Sequence, residues 1–156
     1  MKNKILKNPL SFMETNPVII KKTYPVATHK VWKAITDKDQ MKEWYFNVDN
    51  FVLEEDTAFN ICEIGDEKLC HHRCVILEIV PEKKFKHTWT QLSSRNRLSV
   101  LTWAIEPAET GGTRLILKYE YLKDSTVAEK DISKNDNEIE WEKLLGTSLN
   151  NYLKNK

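Results

Sequence analysis

The residues near the C-terminal end of the chain recur at helical spacing, and this pattern constrains the fold more than any other. They form a broad, mainly apolar stripe over about four helical turns: Ile139, Trp141, Leu144, Leu145, Ser148, Leu149, Tyr152 and Leu153. A helix of this kind must bury one side. Because the segments before it alternate with the period of strands, we expect the helix to cover one face of an antiparallel sheet.

Strand-like segments follow one another through the middle of the chain. Turn residues separate them, with Gly65-Asp66, residues 81–84 and the Gly111-Gly112 hairpin as the clearest breaks. Alternation and β-branched content predict strands at residues 18–24, around Phe51 and Leu53, and at 58–64, 69–80, 85–92, 98–106 and 114–122.

Two short helices are predicted after the first strand. Thr28 is suited to cap the start of one of them, and Asp37 begins a second that ends at Trp44. The element order predicts an α+β fold in which a curved antiparallel sheet wraps around a long C-terminal helix. Residues 1–14 are interpreted as an N-terminal tail and residues 15–156 as one domain.

Charge and composition narrow the class of protein. The chain has 156 residues, with 24 Lys and Arg against 23 Asp and Glu, so its net charge of +1 does not indicate a nucleic-acid partner. No apolar run has the length of a signal peptide or a membrane span, which predicts a cytoplasmic protein. The three cysteines, Cys62, Cys70 and Cys74, are expected to be reduced.

Several short motifs resemble one protein family. They are residues 31–37 (VWKAITD), 41–45 (MKEWY), 76–81 (ILEIVP) with Phe85 and Thr88-Trp89, 112–115 (GTRL) and 140–145 (EWEKLL). Taken in this order, they resemble the family named after the C-terminal domain of the activator of heat-shock protein 90 ATPase. That family is part of the START-like superfamily, also called SRPBCC or birch-pollen-allergen-like. The resemblance covers residues 17–154 and implies a helix-grip fold.

A cluster of possible metal ligands lies at residues 70–74 (CHHRC). On an extended strand Cys70 and Cys74 are about 13 Å apart, which is too far for both to bind one metal without a bulge. We therefore predict strand residues that are packed or exposed at an edge, and neither a metal site nor a cofactor.

The same segment predicts which side chains face the interior. Val75, Leu77 and Ile79 are apolar, so their face is expected to point inward and to carry His71 and Arg73 with it. Arg73, together with His71, would then form the polar end of an apolar pocket. The alternative is that Arg73 pairs with a carboxylate at the rim.

Aromatic residues are the other candidates for the interior. Trp44, Trp89 and Trp103 suit either a cavity wall or a packed core, whereas Trp32 and Trp141 are expected to be core. His87 is the best single candidate for acid–base chemistry. No nucleophile elbow, HExxH motif or phosphate loop is present, so no catalytic residue is predicted.

These features predict a binding protein for a small apolar or amphipathic molecule, held between the sheet and the C-terminal helix. A chaperone-linked or other protein-interaction module is the alternative, and a cyclase or hydrolase in the same cavity is a third. The ligand and the oligomeric state stay open. The predicted cavity residues are Trp44, Phe46, His71, Arg73, Leu77, Trp89, Trp103, Leu145 and Leu149.

Overall fold

The computed structural model describes residues 17–92, 98–121 and 134–155, and a curved antiparallel sheet dominates it. Seven strands pair in the order β1-β7-β6-β5-β4-β3-β2. They are β1 (Val18–Tyr24), β2 (Asn47–Asp49), β3 (Ala58–Glu63), β4 (Asp66–Val80), β5 (Lys84–Gln91), β6 (Leu98–Pro107) and β7 (Thr113–Tyr121). The chain's first strand thus lies at one edge of the sheet, beside the last.

Most predicted strands are present within a few residues of their expected bounds. The exception is the strand predicted around Phe51 and Leu53, which was wrong, because β2 precedes both residues. Asn50 adopts a left-handed conformation (φ 62°) that turns the chain out of β2. The Phe51 ring instead packs edge-on against Phe59, with 5.0 Å between their centroids.

The two short helices after β1 are confirmed as α1 (Thr28–Thr36) and α2 (Lys38–Trp44). Asp37 caps α2, because its side chain accepts a hydrogen bond from the Asp39 amide at 2.9 Å. Thr28 is the first helical residue of α1, and its predicted capping role was wrong, since Ala27 occupies the cap position without a side-chain bond.

The C-terminal helix runs through α3 (Lys134–Lys143), a π-helical segment (Leu144–Ser148) and α4 (Leu149–Lys154). Its buried residues Trp141, Leu145, Leu149 and Leu153 are spaced four apart. In an α-helix each such step overshoots a full turn by about 40°, so three steps would rotate Leu153 about 120° away from Trp141. The π segment adds a residue to one turn and thereby reduces this drift.

Ile139 does not belong to the buried stripe, contrary to the prediction. Its side chain is 58% exposed. It lies two residues before Trp141, which is about 200° around an α-helix, so the burial of Trp141 turns Ile139 toward solvent.

The inner face of the sheet and the C-terminal helix form the core. Odd-numbered residues of β5, β6 and β7 are buried on this face: Phe85, His87, Trp89, Leu101, Trp103, Ile105, Leu115, Leu117 and Tyr119. An antiparallel sheet with one apolar face needs a cover, and the helix supplies it. The predicted helix-grip α+β fold is confirmed.

The cysteines differ from the expectation that all three are reduced. Cys62 and Cys70 form a disulfide between β3 and β4, whereas Cys74 is a buried thiol. That expectation was wrong for the pair because the strand register sets Cys62 directly opposite Cys70.

Two expectations concern parts of the chain away from the sheet. The proposed tail, residues 1–14, lies outside the described residues. Of the helices in the described ranges, none is long and apolar enough to span a bilayer.

Replacing Tyr24 by Phe tests the anchoring of the π segment. The Tyr24 hydroxyl donates a 2.8 Å hydrogen bond to the buried Leu145 carbonyl, linking β1 to the C-terminal helix. Loss of a donor to a buried acceptor costs about 1–3 kcal/mol. We expect Tyr24→Phe to lower the free energy of unfolding by that amount in urea titration.

Ile19→Val is the control on the same strand, because Ile19 is 48% exposed. Its unfolding free energy should stay within about 0.5 kcal/mol of the parent. If Tyr24→Phe fell inside the same window, the bond to Leu145 would not anchor the helix.

Candidate functional site

A cluster of large rings fills the space between the inner face of the sheet and the C-terminal helix. Trp141 lies at its centre, with ring centroids 5.4 Å from Trp89, 5.9 Å from Trp103, 6.0 Å from Tyr45 and 6.4 Å from Tyr119. We call this set the aromatic cluster, and its members are Trp44, Tyr45, Trp89, Trp103, Tyr119 and Trp141. All six are buried, so the centre of the domain is aromatic rather than aliphatic.

His87 lies under the cluster and holds Trp103 in place. Its Nε2 accepts a 3.1 Å hydrogen bond from the Trp103 indole, and its Nδ1 lies 2.8 Å from the Thr88 carbonyl. The second contact needs a proton on Nδ1, which fixes the neutral tautomer. Burial lowers the pKa of His87 to about 4, although the bond to Thr88 opposes the shift. With both nitrogens engaged, the imidazole orients a neighbour and has no free nitrogen for proton transfer.

Trp44 connects the end of α2 to two other elements. Its indole donates a 2.8 Å hydrogen bond to the Ala34 carbonyl of α1. Its own carbonyl accepts a hydrogen bond from the Ser148 hydroxyl in the π segment. Hydrogen bonds to α1 and to the π segment therefore hold both the indole and the backbone of Trp44 in position.

The Tyr45 hydroxyl is the exception among these polar groups. It is buried in the cluster and has no hydrogen-bond partner among the described residues, whereas a buried hydroxyl is normally paired. Burial raises the pKa of Tyr45 well above its usual value, and the nearby Cys74 and Tyr119 add to this shift. The structure thus presents a neutral donor in an apolar interior.

The polar groups around Tyr45 are also uncharged. The Ser99 hydroxyl lies 3.5 Å from that of Tyr119. Burial raises the pKa of the Cys74 thiol well above its ordinary value, so it stays protonated. Within the described ranges, the buried polar residues besides tyrosine and cysteine are Thr36, His87, Ser99 and Thr113, and none is Lys, Arg, Asp or Glu.

The predicted inward face of β4 was wrong. Cys74 and Ile76 are fully buried, whereas Leu77 is 41% exposed. Opposite β5, Ile76 pairs with His87 and Glu78 with Lys86, so Leu77 is an extra residue in a β-bulge. A bulge reverses the alternation of faces. Before the bulge the even-numbered residues of β4 face the core. Beyond the bulge an odd-numbered residue, Ile79, packs against it.

His71 and Arg73 are consequently on the outer face, and the expectation that they form the polar end of a pocket was wrong. Both are exposed. The His71 Nε2 lies 2.8 Å from a carboxylate oxygen of Glu63, in a hydrogen bond across the β3–β4 hairpin. In their place the strand turns His72 and Cys74 toward the cluster, and the His72 ring stacks on Trp89 at 4.1 Å.

The other predicted residues are near the interior. Trp44, Trp89 and Trp103 belong to the aromatic cluster, while Leu145 and Leu149 are completely buried beside it. Phe46 is partly buried, and its ring meets Tyr45 edge-on at 4.8 Å. Whether these six residues contact a ligand remains a prediction.

Sequence reasoning missed Tyr45, His72, Cys74, Ser99 and Tyr119 as interior polar residues. The run Trp44-Tyr45-Phe46 at the end of a helix was a usable signal for the first. His72 and Cys74 carried no such signal, since their orientation depends on the bulge at Leu77.

Neither of two depressions on the described surface is lined by a member of the cluster. One lies along the C-terminal helix at Glu138, Ile139, Glu142, Lys143 and Thr147. The other lies at residues 23–25 and 110–112. In the described ranges, no three side chains of the His, Cys, Asp or Glu type are grouped closely enough to hold a metal ion.

The fold and its aromatic interior define a helix-grip protein of the START-like class. The particular family is shown by its sequence model, which matches residues 25–154. The chain belongs to the family described as "Activator of Hsp90 ATPase homolog 1-like protein". No protein in a search of curated sequences matches it.

Solved structures resemble the chain in fold. The protein MLL2253 from Mesorhizobium loti superposes with a TM-score of 0.74 at 21% identity, over 90% of this chain and 98% of that one. CalU16 from Micromonospora echinospora gives 0.66 at 20% identity, over 90% and 81% of the two chains. DynU16, from the dynemicin biosynthetic locus, gives 0.72 at 15% identity, and the match covers 90% of this chain but 48% of that one. These likenesses show the fold alone.

Acid should destabilise the protein because two interior histidines resist protonation. Burial lowers the pKa of His72, as of His87, from 6.5 to about 4, and the neighbouring His71 contributes at His72. Between about pH 4 and pH 6.5, these histidines bind protons in the unfolded chain but not in the folded chain. Stability is then complete above about pH 6.5 and falls toward pH 4, by up to about 1.4 kcal/mol per pH unit for each histidine. Urea unfolding across this range measures the slope.

His87→Gln tests whether His87 contributes to the acid sensitivity. The glutamine amide oxygen can still accept the hydrogen bond from Trp103, but the amide does not titrate. This variant should show a shallower dependence on pH. His29→Gln, at an exposed position, is the matched control and should keep the parental slope. Equal slopes in all three proteins would exclude His87 as a source of the acid sensitivity.

Proposed function

We propose that this protein binds a small, uncharged molecule with an apolar body and one hydrogen-bonding group, between the sheet and the C-terminal helix. The observation that carries the proposal is the Tyr45 hydroxyl, which is buried without a partner among the described residues. An unpaired buried hydroxyl costs about 1–3 kcal/mol, and a ligand that accepts a hydrogen bond from it would recover part of this energy.

The aromatic cluster supports an apolar, flat ligand body. Its rings meet largely edge-on, with interplanar angles of 87° between Tyr45 and Trp103 and 83° between Trp103 and Trp141. The cluster is close-packed, so a ligand requires some of its side chains to move before it can enter. Aromatic walls with few polar groups are typical of small-molecule sites.

The electrostatics support an uncharged ligand. No Lys, Arg, Asp or Glu is among the buried residues of the described ranges. Burial holds His72 and His87 neutral and keeps the hydroxyl of Tyr45 and the thiol of Cys74 protonated. A carboxylate or an ammonium would find no counter-charge here, and transfer of an unpaired charge into such an interior is strongly unfavourable.

A protein-interaction role is the second candidate. The family description refers to activation of the Hsp90 ATPase, and the filled interior is compatible with a surface-based function. In that case a chaperone or another protein would be the partner, and replacements in the aromatic cluster would affect stability but not partner binding.

Two aromatic probes of similar shape test the binding proposal. We expect 2-acetylnaphthalene, which is neutral and carries an acceptor oxygen, to raise the unfolding temperature, whereas 2-naphthoate should not. At a ligand concentration of 100 Kd the stabilisation should be about 2.7 kcal/mol. Tyr45→Phe should weaken binding by about 0.5–1.5 kcal/mol, the contribution of one hydrogen bond. Calorimetric titration and thermal melts give both quantities.

The ligand-free stability of Tyr45→Phe serves as the internal control. Because the hydroxyl has no partner among the described residues, its removal should raise the unfolding free energy by about 1–3 kcal/mol. Equal binding of the two probes, or equal affinity in the parent and Tyr45→Phe, would contradict the proposed site. Native mass spectrometry after incubation with host extract, showing only the bare mass, would favour the protein-interaction role.

A further inference from the structure

The end of the β3–β4 hairpin carries a pair of cysteines that the binding proposal does not use. Cys62 and Cys70 are direct partners in the strand register and are joined by a disulfide. Register shifts occur on both sides of Cys62, so this end of the hairpin is paired separately from the regular ladder. The pair is therefore a local feature of the hairpin.

The hairpin end is held by contacts other than the sulfur bridge. Glu63 and His71, the residues next to the two cysteines, form a hydrogen bond of 2.8 Å. Regular pairing of β3 with β4 extends from Ala58 opposite Val75 to Ile61 opposite His72. Neither set of contacts involves a sulfur atom, so we expect the dithiol form to keep the same fold.

The position of the disulfide also indicates that it contributes little to the stability of the domain. The two cysteines are only eight residues apart, and short loops give the smallest entropic stabilisation from a cross-link. Cys62 is buried, but it is not among the described members of the core cluster, whereas Ile61 and Cys74 are. Breaking the bridge leaves the main core intact.

The two cysteines differ in exposure, which favours one of them as the point of exchange. Cys62 is fully buried and Cys70 is only partly buried. A thiol nucleophile of small size can therefore reach the Cys70 sulfur first. Cys74 is about 13 Å farther along the strand and turns inward, so it does not compete as a partner.

We propose that Cys62 and Cys70 form a reversible thiol–disulfide site that exchanges with small-molecule thiols and disulfides through Cys70. In the reducing direction, a small thiolate attacks the Cys70 sulfur, and the bridge breaks as Cys62 leaves and takes up a proton. A second small thiol then attacks the mixed disulfide and releases Cys70. Two small thiols are oxidised to one small disulfide, and the protein disulfide becomes two thiols.

Peptide mapping after alkylation, on the folded full-length protein in glutathione buffers, tests the proposal. We expect Cys62 and Cys70 to change together from disulfide to two alkylated thiols as the reduced fraction of glutathione increases, with far-UV circular dichroism unchanged. A pair that stays reduced in oxidised glutathione, or stays bridged in reduced glutathione, would overturn the proposal. Loss of the folded spectrum on reduction would also overturn it, because the bridge would then be a structural staple.

Single serine variants test the assigned direction. In oxidised glutathione, Cys62→Ser should form a mixed disulfide on Cys70, whereas Cys70→Ser should leave the buried Cys62 unmodified. The opposite pattern, or equal modification of both, would overturn the role of Cys70 as the point of exchange. If a variant does not fold, the titration of the parent protein still decides whether the site is reversible.

Discussion

The burial of Trp141 against the inner face of the sheet is the interaction on which the rest of the structure depends. Its ring contacts side chains from β5, β6 and β7 and from the residue after α2. Full burial of one large apolar side chain is worth about 1.5–3 kcal/mol. The helix α1 covers part of the same face, where it packs on β6 and β7. The four-residue spacing of Leu145, Leu149 and Leu153 extends the contact, and the π segment keeps these residues on the same side.

The interior built in this way combines close packing with a small number of neutral polar groups. His87 and Trp44 satisfy their polar atoms within the protein and so position the indole rings. Tyr45 does not do so among the described residues, and the proposed ligand contact rests on this difference. The same low-polarity environment explains both the acid sensitivity expected of the histidines and the preference proposed for an uncharged ligand.

Much of the fold could be predicted because its signals are local. The helical period of the C-terminal stripe, the Gly111-Gly112 turn and the alternation in β5 to β7 each identify an element from neighbouring residues alone. The candidate site was less predictable. Trp89 and Trp103 were identified correctly as interior residues, but His71, Arg73 and Leu77 were assigned to the wrong face, because a single extra residue in β4 inverts the alternation.

The sequence by itself determined most of the elements, their order and the family, since these depend on periodicity and short motifs within each segment. Only the tertiary structure decided which face of β4 is buried, that Cys62 meets Cys70, and that Tyr45 is enclosed without a partner among the described residues. The first two depend on the register of β4 with β5 and of β3 with β4, and the third depends on the packing of the residue after α2 against β6 and the C-terminal helix. Register is set by the packing of the whole sheet against the helix, and no single segment encodes it.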